Sequence, residues 1–288
     1  MRGENFLLEQ GTILEGRYEI KRKLGEGGFS YVYLAYDREK RRNCAVKEIT
    51  KLHNKLACYM SYKEVTLIWK LQYPYFPEIE EIIEKEHVIY IVMEYLEGET
   101  LDKILKRLGP QSQTDVVKWS RDLCFLLEYL HNCNPPVIYR DMKPANIMLQ
   151  TSGNLRLIDF GAIWEGEVYP EQNRISYGTG IWPSLDAKED INLGTKGYAA
   201  PEQFEEKGKI DVRTDIYGLG VTMYQLLTGK DPCQFPSEQY KLRYWNWRLS
   251  KKLEKIVWKC TRLNPEERYR SCKELREDLE IFAKSKKM

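Results

Sequence analysis

An aspartate, a lysine two residues on and an asparagine five residues on stand between apolar runs at Asp141, Lys143 and Asn146, and Asp159 follows another apolar stretch. Polar heads gathered in this way fit a phosphoryl-transfer site. Asp141 would accept the proton of an attacking hydroxyl, while Asn146 and Asp159 hold a magnesium ion against a triphosphate. Upstream, Lys47 interrupts the apolar strand Cys44-Ala45-Val46-Lys47-Glu48-Ile49. A cation there needs a partner, and Glu64 is the best candidate. Held by Glu64, the ammonium would extend toward α- and β-phosphates. Earlier still, Leu24-Gly25-Glu26-Gly27-Gly28-Phe29-Ser30-Tyr31-Val32 places a glycine-rich turn between two strands, where backbone amides can approach phosphates closely.

Each feature also has a plainer reading when taken singly. A glycine-rich hairpin is often only a turn, a strand lysine often snorkels at the surface, Asp141 can cap a turn and Asp159 can sit in a loop. The glycine turn is not a Walker loop, because no Gly-Lys-Ser/Thr follows and the chain goes on into another strand.

These residues require two kinds of support. From about residue 17 to 97, short strands are expected at 18–24, 30–37, 43–50, 79–84 and 88–95, punctuated by Gly25, Gly27, Gly28 and the polar turn 37–42. One helix interrupts them at 55–71, on the spacing of Leu56, Tyr59, Met60, Val65, Ile68, Trp69 and Leu71, and Pro74 closes it. Beyond Gly98 the apolar spacing turns helical, at 101–108, 114–131, 214–227, 252–260 and 272–283, with Thr114 or Ser112 able to cap the second of these. The change of texture at 96–99 divides residues 1–96, strand-rich and suited to nucleotide binding, from residues 97–288, mainly helical. A cleft between unlike lobes is the natural ligand site.

Bulk properties exclude several classes. The 45 Lys and Arg nearly balance 43 Asp and Glu, so no broad field gathers nucleic acid or anionic membrane. Seven scattered cysteines, with no close pair, argue against a disulfide framework or a zinc site. No apolar run is long enough to span a bilayer and the first ten residues lack a signal-peptide core. The chain is expected in the cytoplasm, alone or as the cytoplasmic domain of a longer membrane-anchored protein. Tyr244-Trp245-Asn246-Trp247 is read as core packing and given no role.

Read together, GEGGFSYV, CAVK, YRDMKPAN, DFG and AAPE resemble the ordered motif set of the protein kinases, and the resemblance extends over roughly residues 17–282. It implies an α+β, bilobal protein-kinase-like fold: an antiparallel β-sheet N-lobe with one main helix and a mainly α-helical C-lobe. It further implies a serine/threonine kinase of bacterial type that uses ATP with Mg2+, or Mn2+ in its place, on protein substrates, with a homodimer serving trans-autophosphorylation. Asp141, Lys143, Lys47 and Glu64 take the catalytic positions, and Asn146 and Asp159 the metal positions. Leu24, Gly25, Glu26, Gly27, Gly28, Phe29 and Ser30 form the phosphate loop. Val32, Ala45 and Met148 resemble the adenine sandwich, Met93 the gatekeeper, and Glu94, Tyr95 and Leu96 the hinge. Lys143 with Thr195 is similar to the serine/threonine branch. Glu202 resembles a residue that pairs with a late arginine, for which Arg268 is placed, and Asp215 the aspartate that braces the catalytic loop. A regulatory stack would use Ile68, Tyr139, Phe160 and Ile79.

Three departures stand out. Ser30 replaces the loop's third glycine, Tyr139 the usual histidine, and the stretch between Gly161 and Ala200 is long. Arg140 would be satisfied by Glu189 or Asp190, by phosphate on Thr179 or Ser184, or else by solvent. A catalytically dead scaffold is disfavoured because Lys47, Glu64, Asp141, Asn146 and Asp159 are all present. A small-molecule kinase is disfavoured because the Gly-Thr-x-Gly-Tyr and Ala-Pro-Glu segments build a shelf for peptide.

Overall fold

In a computed structural model of the chain, the described residues are 8–26, 30–50, 75–85, 88–159, 162–165, 195–205, 209–234 and 241–286. They fall into two compact units, one of residues 1–98 with 150–161, the other of residues 99–149 with 162–288.

The first unit is built on a six-stranded antiparallel sheet of β1 (Ile13–Leu14), β2 (Tyr18–Glu26), β3 (Ser30–Asp37), β4 (Arg42–Thr50), β5 (Ile79–Glu84) and β6 (Val88–Glu94), in the order β1-β2-β3-β4-β6-β5. Strand alternation sets its two faces. Val32 stands opposite Lys47, and Lys47 opposite Ile91, while Ala45 pairs with Leu34 and Met93. One face therefore carries Val32, Ala45, Lys47, Ile91 and Met93. The other buries Tyr18, Ile20, Tyr33, Cys44, Val46, Tyr90 and Val92, against which Leu8 packs.

Between β3 and β4 the turn is shaped by Asp37, whose Oδ1 accepts the amides of Glu39 and Lys40 at 2.9 and 3.1 Å. Arg41 there takes φ 53°. Arg17 clamps the same carboxylate through Nε at 2.9 Å and Nη2 at 2.7 Å, which lowers the Asp37 pKa to about 2.

The second unit holds most of β7 (Gly98–Thr100), α1 (Leu101–Leu108), α2 (Gln113–His131), β8 (Val137–Ile138), most of β9 (Ile147–Gln150), β11 (Trp164–Glu165), α3 (Val212–Thr228), α4 (Leu242–Trp245), α5 (Lys251–Cys260) and α6 (Cys272–Lys286), while the short β10 (Leu155–Leu157) belongs to the first. Side chains cap the helix starts and satisfy orphan amides. Thr100 accepts from Lys103, Ser112 from Asp115, Asp211 from Arg213 and Ser250 from Lys252. Ser112, not Thr114, caps α2.

Helix α3 is buried on every side from Thr214 to Thr228, and so forms the unit's axis. A Cβ on its Gly220 would collide with Cys260 of α5. Close packing there demands glycine.

Candidate active site

The loop 139–146 acquires its shape from one stripe of α3. Asp215, Gly218 and Thr222 recur at helical spacing, so they share a face. Asp215 accepts the amides of Tyr139 at 2.9 Å and Arg140 at 2.7 Å. A Cβ at Gly218 would lie 3.1 Å from the Met142 side chain, and Thr222 donates its hydroxyl to the Met142 carbonyl at 3.0 Å. His131, at the end of α2, adds a third contact to Asp215 through Nε2 at 2.8 Å. Asp215 and the His131 side chain are both buried. The resemblance indicated the bracing role of Asp215. Nothing in the local sequence singled out His131, whose partner lies 84 residues away.

Arg140 takes φ 67°, the left-handed region that costs a non-glycine residue roughly 1 kcal/mol. Its amide is held by Asp215, and its carbonyl accepts Gln203 Nε2 at 3.3 Å. Arg140 is buried, so the solvated alternative for it is overturned. Glu189, Asp190, Thr179 and Ser184 lie outside the described residues.

This scaffold brings four predicted residues together. Lys143 Nζ lies 2.7 Å from Asp141 Oδ2 and 2.5 Å from Thr195 Oγ1. Asn146 donates Nδ2 to the Asp141 carbonyl at 3.0 Å and to Oδ2 at 2.8 Å. Thr195 donates its hydroxyl to Asp141 Oδ1 at 2.8 Å and its amide to the same atom at 3.2 Å. Asp141 is thus oriented from three sides. A groove of about 740 Å3 borders the cluster, lined in part by Lys143, Ala145, Thr195, Tyr198 and Asp231.

The segment after Thr195 is fixed by a buried ion pair. Arg268 meets Glu202 in two bonds, at 2.6 and 2.8 Å, as the resemblance implied. Thr214 donates to the same carboxylate at 3.0 Å, and Arg268 also reaches the carbonyls of Arg262, Leu263 and Arg213.

In the first unit, Lys47 is largely buried, contrary to the snorkelling reading, and its Nζ lies 3.4 Å from Asp159 Oδ1. Glu64, its expected partner, lies outside the described residues, as do Gly27, Gly28, Phe29, Ile68, Phe160 and the helix expected at 55–71. Leu24 sits at an irregularity between Lys23 and Gly25 in the β2–β3 pairing, Gly25 and Glu26 pair with Val32 and Tyr31, and Ser30 opens β3. Val32, Ala45 and Met93 share the face of Lys47. Glu94 ends β6 with its carboxylate on Arg156, and Tyr95 and Leu96 follow it. Met148 lies on β9, half-buried, and Tyr139 is fully buried.

Each unit carries one of the two oxygen donors that the resemblance implied for a metal. With its Nδ2 directed at Asp141, Asn146 keeps a carbonyl oxygen to offer, and the Asp159 side chain is 45% exposed. Among the described residues no three His, Cys, Asp or Glu side chains could hold a metal unaided.

Compared with known proteins, residues 18–279 match the model of the protein kinase domain. The chain belongs to the protein kinase family. It is 31% identical over 283 residues to the serine/threonine-protein kinase PknA of Nostoc sp., covering 93% of this chain and 48% of that protein. It is 31% identical to PknB of Mycobacterium tuberculosis, covering 92% and 43%, and 27% identical to PrkC of Bacillus subtilis, covering 93% and 41%. The chain spans about half the length of these relatives or less. It is an ATP-dependent serine/threonine kinase domain of the type found in bacteria, with the sheet-plus-helix architecture that the motifs implied. Family membership also brings ATP as substrate and, typically, a divalent metal.

Proposed function

We propose that the whole protein transfers the γ-phosphate of ATP to serine or threonine hydroxyls of other proteins, with Asp141 as the base. The observation that carries this reading is the Asp141, Lys143, Asn146 and Thr195 cluster, in which one carboxylate is oriented by three neighbours. Asp141 accepts the hydroxyl proton of the acceptor, while Lys143 places a positive charge beside the oxygen that receives it. Thr195 spans the two and limits their rotation. The groove beside Lys143 and Thr195 suits an extended peptide segment presenting that hydroxyl.

Lys47 steadies the α- and β-phosphates, with Glu64 as its partner. Leu24 to Ser30 cover the phosphates, Val32, Ala45 and Met148 sandwich adenine, and Met93 to Leu96 line its edge. Asn146 and Asp159 hold the magnesium ion, which supplies charge neutralisation when bound. Catalysis on this reading is mainly positioning and electrostatics.

Cytoplasmic placement is supported by the scattered cysteines of the sequence, which form no close pair. A homodimer would let one copy phosphorylate the hydroxyl-rich stretch 162–199 of another.

The test is incubation with radiolabelled ATP and magnesium, with a generic basic protein as acceptor, followed by phosphoamino-acid analysis. Phosphoserine or phosphothreonine is expected. Label confined to phosphotyrosine, or absent from both proteins, would overturn the proposal.

A further inference from the structure

Charge is distributed very unevenly along this chain. Residues 241–262 hold eight of its 45 Lys and Arg but one of its 43 Asp and Glu, so this short stretch carries +7 and the rest of the chain −5. That single acid, Glu254, is half-buried and accepts the amide of Arg243 at 2.7 Å. Lys259 and Arg262 are paired, with Glu274 and Glu267. Among the described residues, Lys241, Arg243, Arg248, Lys251, Lys252 and Lys255 have no carboxylate partner.

Aromatic surface lies within the same patch. Tyr244 is 78% exposed and Trp247 72%, which corrects the reading of 244–247 as core, and Trp258 and Leu263 are exposed on and beside α5. A groove of about 510 Å3 is lined in part by Trp258 and Leu263, by Lys241, and by Arg262 with its ion-pair partner Glu267. Exposed Trp and Tyr among unpaired cations is the composition of a recognition surface.

We infer that the solvent face of α5 and the groove beside it dock an acidic segment of a protein substrate, with an apolar side chain of that segment seated on Trp258. This rests on the kinase reading and adds to it a preference for one class of substrate. Charge complementarity selects the occupant: six cations of this stretch have no carboxylate partner among the described residues, and one of them, Lys241, lines the groove beside the apolar Trp258 and Leu263. A nucleic acid fits less well, because Arg248 and Arg262 already lie over the rings of Trp247 and Trp258, the platforms on which bases would stack. A membrane also fits less well. Leu253, Ile256, Val257 and Cys260 of α5 are buried in the protein and cannot enter lipid.

The experiment uses the full chain and the variant K251E/K252E/K255E, three exposed positions outside the catalytic cluster. Fluorescence anisotropy follows a labelled Asp/Glu-rich 20-residue peptide containing one Phe and one Ser, against a Gly/Ser/Gln peptide of equal length. Phosphatidylserine vesicles and a DNA duplex serve as competitors. The wild-type chain should bind the acidic peptide roughly tenfold more tightly at low salt, and the variant should lose that preference. The milder K251Q/K252Q/K255Q variant should fall between them, which guards against misfolding of the first. Equal binding of both peptides, a preference that survives charge reversal, or binding only of vesicles or DNA would overturn the inference. Phosphate incorporation into the generic basic protein is measured in parallel and should be unchanged in the variant. Its absence from the wild-type chain would count against the kinase reading instead, independently of the binding result.

Discussion

Asp215 holds Arg140 in a left-handed backbone conformation: the carboxylate accepts the Arg140 amide at 2.7 Å while that residue sits at φ 67°. The same carboxylate takes Tyr139 and His131, so a buried anion on the central helix α3 sets the path of the chain into Asp141. Asp215→Asn keeps the shape but turns an NH2 group toward donors. An expected loss of about 2 kcal/mol in stability follows from the unsatisfied groups. As Asp215 positions the loop without touching substrate, kcat should fall at least tenfold while the KM for ATP stays near wild type. Calorimetric unfolding and steady-state kinetics check both.

Thr195 joins Lys143 to Asp141 through one hydroxyl. Thr195→Val removes that bridge at nearly constant volume and should lower kcat by roughly tenfold, in line with one lost charge-assisted bond. Thr195→Ser should restore most of the rate. A serine variant as slow as the valine variant would show that the methyl group, not the hydroxyl, matters.

The Arg268–Glu202 pair is buried and bidentate. Arg268→Met leaves the Glu202 carboxylate uncompensated and should cost about 3–5 kcal/mol. The double variant Arg268→Met with Glu202→Gln should cost clearly less than the sum of its single changes, because the stranded charge is gone. Chemical denaturation of the four proteins gives the coupling.

Asp37 supplies a pH dependence. Arg17 holds its pKa at about 2, below the ordinary 3.8. Since the folded value is depressed, the stabilisation is complete above the unfolded pKa and is lost as pH falls from about 4 toward 2. Its size is about 2 kcal/mol. Asp37→Asn should be less stable at pH 7, and its disadvantage should shrink between pH 4 and 2. A pH-independent gap in denaturation midpoints would show that the carboxylate's charge is not the source.

Much of this architecture is legible locally because period-two and helical apolar spacing report which face is buried. Strand β3 has the expected bounds, 30–37, and α2 starts one residue before its expected 114 because Ser112, rather than Thr114, is the cap. The two-residue strands β8 and β11 pair with each other and carry no period to read. His131 was likewise hidden, since its meaning depends on Asp215, far away in the chain. Residues 150–161 group with the sheet through contacts such as Leu157 N to the Tyr75 carbonyl, at 3.0 Å. The exposure of Tyr244 and Trp247 reverses the usual inference from large aromatic side chains, because composition cannot show which surface remains uncovered.

The most direct test of the account is the rate of phosphate transfer by Asp141→Asn, with nucleotide affinity and thermal unfolding measured on the same protein. The substitution keeps the size of the side chain and removes the proton acceptor. Transfer to serine or threonine should fall by at least a hundredfold with ATP affinity and melting temperature little changed. Turnover near that of the wild-type chain, in a folded Asp141→Asn protein that binds ATP, would contradict the role given to Asp141 and with it the proposed mechanism.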